Sequence, residues 1–88
     1  MIAFLLLVED DEQRELLIEI YKKYFALIKK RLAGAVPVEN VEDCIQDCFV
    51  RLVNNVKRLQ ELSQAQITVY VNQTIRSVIV DYQKKKSC

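Results

Sequence analysis

Gly34 and Pro37 are the chain's one glycine and one proline, and they stand almost side by side. The strongest turn-forming chemistry is therefore concentrated at a single point. On either side the sequence runs without a strong breaker, so long helices with few breaks are expected. Gly34 is a natural helix C-cap, and Pro37 stops any continuation. A link this short makes the two flanking helices pack antiparallel, as a hairpin.

The second arm of that hairpin is read over residues 40–60, where Val41, Ile45, Cys48, Leu52, Val56 and Leu59 recur at three- and four-residue steps. Cys44 and Phe49 flank them, which makes a broad apolar stripe with the period of an amphipathic helix. Asn40 reads as the N-cap, with Asp43 three residues on. Glu42 and Asp43 in the first turn and Lys57 and Arg58 in the last suit the helix dipole. The opposite face carries Asp43, Gln46, Asp47, Val50, Asn54 and Lys57. Val50 is an apolar side chain among acids and amides. It is either one of the many singly exposed valines of ordinary surfaces or the anchor of a contact with a partner.

The first arm is expected over residues 11–33, with Leu17, Ile20, Tyr21, Tyr24, Phe25, Ile28 and Leu32 along one side. Asp10 with Gln13 makes a capping-box-like start, and Lys29, Lys30 and Arg31 complement the dipole at the end. The apolar segment at residues 2–8 is too short to span a bilayer and has no basic start or cleavage signal. It reads as a short docked helix or an extended arm.

Residues 64–86 set two signals against each other. Ile67, Thr68, Val69, Tyr70, Val71, Thr74, Ile75, Val78, Ile79 and Val80 are strand formers by propensity. Their spacing is helical: Ile67, Val71, Thr74, Ile75, Val78 and Tyr82 share one face, and Asn72, Gln73, Arg76 and Gln83 the other. Ser63 offers an N-cap with Gln66 completing the box, and Lys84, Lys85 and Lys86 close the far end. A lone strand would have no partner, so a third helix is expected. Tyr70 among amides and an arginine is either a platform for stacking a base or a ring covering the edge of the core. The terminal lysines either meet phosphates or solvate a helix end.

Composition narrows the function classes. The chain has no histidine, which removes the commonest general base and metal ligand. There is no phosphate-binding glycine loop, no nucleophile–base pair and no spaced metal set, so an enzyme is not expected and no cofactor or metal is implied. Cys44 and Cys48 sit one turn apart on the buried side and read as small hydrophobes, since nothing supplies the rest of a zinc site. Three cysteines in all fit a reducing cytoplasm better than a disulfide framework. A net charge of +1 names no partner by itself.

With three helices in place, the chain resembles region 2 of the sigma-70 family of bacterial transcription initiation factors, especially the extracytoplasmic-function-like group. The segment VEDCIQDCFVRLV looks like that family's acidic-start, Gln-acid, Phe-x-x-Leu helix, carried here by Glu42, Asp43, Gln46, Asp47, Phe49 and Leu52. The segment ITVYVNQTIRSVIVDYQKKK resembles the family's next helix, with Tyr70, Arg76, Asp81, Tyr82 and Lys84, Lys85 and Lys86 at the recurring places. IEIYKKYFALIKK is similar to its first helix. The resemblance implies an all-α, three-helix sigma region 2-like bundle over residues 1–88, a helical hairpin plus a third long helix, with residues 2–8 available for a short extra one. It also implies a non-enzymatic, cytoplasmic module with no membrane and no small-molecule substrate.

Two interfaces follow from the resemblance. The central helix would dock on the β′ clamp helices of core RNA polymerase through Asp43, Gln46, Asp47, Val50, Arg51 and Asn54. The third would read and help open the promoter −10 element, partly single-stranded, through Tyr70, Asn72, Gln73, Arg76, Ser77, Lys84, Lys85 and Lys86. An anti-sigma factor is a further partner that the family admits. The sequence departs from the family at Tyr70, where tryptophan is frequent, at Ser77, where asparagine is frequent, and in the aromatic-free connection at residues 60–66. The family's second domain, a helix-turn-helix reading the −35 element, has no counterpart in these residues, which fits an excised fragment or a region-2-only protein. The competing expectation is a helical protein–protein interaction module without DNA binding, acting through the Val50 face and the apolar N-terminal segment.

Overall fold

The computed structural model describes residues 8–87, and side chains as far as Lys85. Four helices follow one another: α1 (Asp11–Ala33), α2 (Val38–Asn54), α3 (Val56–Gln60) and α4 (Gln64–Ser87). Among the described residues there is no strand. The all-α expectation holds, and helical period prevails over β-propensity in α4 because its face can be buried against α1 and α2. The expectation for residues 2–7 lies outside the described residues. Val8 precedes α1 as irregular chain and is buried with Leu17 and Val56, its carbonyl accepting from Arg14 Nη2 at 2.6 Å.

Helix α1 starts as read from sequence, with Gln13 N–H donating to Asp10 Oδ1 at 3.0 Å. The box is only half formed, because the Gln13 amide turns instead to Gln60 at 3.1 Å. At the other end Gly34 occupies the C-cap but with φ −85° and ψ −8°, a conformation open to any residue. An added Cβ there would meet nothing closer than 3.7 Å, so the turn does not require glycine. Val36 N–H closes onto Leu32 O at 2.9 Å. The chain then reverses, and the Tyr21 ring lies 5.0 Å from that of Phe49 while Phe25 and Ala33 share a groove with Ile45 and Val38. This register is antiparallel.

Two boundaries of the central segment differ from the sequence reading. Helix α2 begins at Val38 directly after Pro37, not at an Asn40 cap. Proline's fixed φ, here −58°, suits entry into a helix, so Asn40 already lies in the first turn with its N–H on Pro37 O at 2.9 Å. The segment 40–60 is also not one helix. At Asn55 the backbone widens to φ −115° and ψ 21°, and the side-chain Nδ2 donates to Arg51 O at 2.8 Å. Asparagine competes with helical hydrogen bonding in this way, and two stand here in succession. The break lets Val56 reach Val8 and Leu17 while Leu59 stays in the main core.

Helix α4 has the full reciprocal cap: Gln66 N–H to Ser63 Oγ at 3.3 Å and Ser63 N–H to Gln66 Oε1 at 2.9 Å. Its buried face, Ile67, Val71, Thr74, Ile75 and Val78, meets Ile28 and Leu32 of α1 and Cys48 and Leu52 of α2 in one core. Thr74 is tolerated there because its hydroxyl donates to Tyr70 O at 2.9 Å.

Candidate polymerase and nucleic-acid interfaces

The outward face of α2 carries Asp43, Asp47 and Asn54 exposed, with Gln46, Val50 and Arg51 half-buried. Val50 is thus less prominent than the pattern suggested, and among the described residues the most exposed large apolar ones are Val38 at 85 % and Val69 at 55 %. Arg51 is turned toward the fold as much as toward solvent. Its Nη2 donates to Asp81 Oδ2 of α4 at 2.7 Å and lies 3.4 Å from Asp47 Oδ2. The hydrogen bond from Arg51 holds the Asp81 carboxyl below its ordinary range, and the same bond raises the Arg51 guanidinium. What α2 offers a partner is consequently acid and amide, suited to cationic side chains.

Behind that face, Cys44 and Cys48 are buried and free. Burial, reinforced by Asp47, pushes the Cys48 thiol up to about 12 and shifts Cys44 in the same direction. Both therefore stay protonated at neutral pH, the state in which cysteine is an inert hydrophobe. Among the described residues no group of three or more candidate ligands could hold a metal.

Helix α4 presents a different chemistry. Gln73, Arg76, Ser77, Lys84 and Lys85 are exposed, and Tyr70 and Asn72 are half-buried. The side chain of Lys86 lies outside the described residues. Tyr70 and Gln73 line an open groove of about 310 Å³ with Arg58, Leu62, Ala65, Gln66 and Val69. Arg58, Leu62 and Gln66 were not assigned to a site from sequence; Arg58 passes there as dipole complement. The α3 turn places Arg58 and Leu62 against α4, and that turn is the feature the sequence pattern did not announce. Asn72 is held from both ends, its Oδ1 by Arg31 Nη1 of α1 and its Nδ2 on Thr68 O at 2.9 Å. One turn earlier, Tyr24 and Thr68 share a hydrogen bond of 2.6 Å, with Gln64 donating to the same phenol oxygen at 3.2 Å. These bonds seat α4 on α1.

The described residues thus form a helical bundle with an acidic, amide-bearing α2 face and an aromatic, cationic α4 face. Comparison with known families makes the class specific. The family model for sigma-70 region 2 matches residues 16–87, and the chain belongs to that family. It is thereby a sigma factor region of transcription initiation, a non-enzymatic family whose members typically bind core RNA polymerase and promoter DNA. No curated protein and no solved structure matches the chain. No helix among the described residues is long and apolar enough to cross a membrane.

Proposed function

We propose that the chain, acting as one module, docks through α2 on the β′ clamp helices of RNA polymerase and uses α4 to hold the promoter −10 element. Asp43, Gln46, Asp47, Val50 and Asn54 form the polymerase contact, with Arg51 at its edge. Tyr70, Gln73, Arg76 and Ser77 face the opened strand, Asn72 borders it, and Lys84, Lys85 and Lys86 meet phosphates.

The observation that carries this reading is the groove beside Tyr70. An aromatic ring, two amides and Arg58 around a space of about 310 Å³ suit an unpaired base, which stacks on a ring while amides bond its edge. Tyr70→Ala should weaken binding to a partly single-stranded −10 DNA by roughly 1–3 kcal/mol, the worth of one stacked base. Fluorescence anisotropy on matched and scrambled strands measures it. An equal loss on both would reduce α4 to a non-specific surface.

A further inference from the structure

We propose that Arg31, at the C-terminal end of α1, is a phosphate-binding residue of the nucleic-acid face and that Asn72 of α4 positions it. The inference rests on the DNA-binding reading above and extends that face onto a second helix.

Considered on α1 alone, Lys29, Lys30 and Arg31 are accounted for as helix-end charge. The fold singles out Arg31, whose Nη1 donates to the side-chain oxygen of Asn72 across 41 residues of sequence. With Asn72 Nδ2 already donating to Thr68 O, that amide is engaged at both ends inside the molecule. Its chemistry is that of a holder of a cation more than of a reader of a base. Arg31 itself is exposed and uses only part of its five-donor fork in this bond.

Arg76 stands one helical turn beyond Asn72 on α4 and is also exposed. Among the described residues neither has a carboxylate within 4 Å, and the acid of α4, Asp81, is engaged by Arg51. An exposed guanidinium without an acid partner is open to an anion, and its fork matches phosphate oxygens. If α4 holds a DNA strand, the anion that fits is the phosphodiester of that strand. Phosphate contacts of this kind set register, and base contacts then specify.

The test is a salt titration of DNA binding by the 88-residue chain, read by anisotropy with labelled, partly single-stranded DNA. Arg31→Gln should weaken binding several-fold on matched and scrambled strands alike. It should also reduce the slope of log K against log salt by about 0.7–0.9, the signature of one lost phosphate contact. Arg31→Lys should retain the slope, and Asn72→Ala, which keeps the charge but frees it, should lower affinity. A slope unchanged in an Arg31→Gln protein that still binds DNA and keeps wild-type helicity would overturn the inference alone. Absence of DNA binding by the wild type would overturn the DNA-binding reading and this inference together.

Discussion

Arg51 illustrates how a side chain read as part of a binding face can belong to the fold. It enters that face through the family resemblance and not through spacing, and the fold leaves it half-buried. The partner that engages it, Asp81, lies 30 residues away, and no periodicity connects the two. Asp47 is the looser of its two acids, at 3.4 Å against 2.7 Å. Reversing Asp47 therefore leaves the bridge to α4 in place while inverting the charge offered to a cationic partner. Asp47→Lys should abolish retention on a fragment bearing the β′ clamp helices, with the circular dichroism spectrum unchanged. A pull-down of wild type beside mutant measures this, and equal retention would exclude that face.

At the scale of elements, helix ends were legible where their chemistry is local. Asp10 and Ser63 are read correctly because a capping side chain bonds a backbone N–H three residues on. The start of α2 was displaced because Pro37 opens the helix without any capping bond, while Asn40 and Asp43 imitate one. The break at Asn55 was hidden by an apolar spacing that continues through it to Leu59. Two packing sites reward the bend, one against Val8 and Leu17 and one in the main core. Ser63→Ala removes one half of the reciprocal cap at the helix that carries Tyr70. It should cost about 0.5–2 kcal/mol of stability, measured by urea denaturation. A loss well below that range would mean the Gln66 amide alone satisfies the helix start.

Helices α1, α2 and α4 meet in the main core, and Leu52 is wholly buried within it. Leu52→Ala should destabilise the protein by about 2–5 kcal/mol, a large share of the 5–15 kcal/mol typical of a domain. Thermal and urea unfolding measure it, and both faces should be lost together because both are mounted on that core. The sequence by itself determined the helical class, the buried stripes and the two capped starts. Each of these is written in spacings of three and four residues, which the geometry of a single helix enforces. Only the tertiary structure decided which polar groups are used internally, as in Arg51 with Asp81 and Arg31 with Asn72, and how the α3 turn closes a groove beside Tyr70. Those pairings depend on how helices pack, and packing brings together residues whose separation along the chain carries no period.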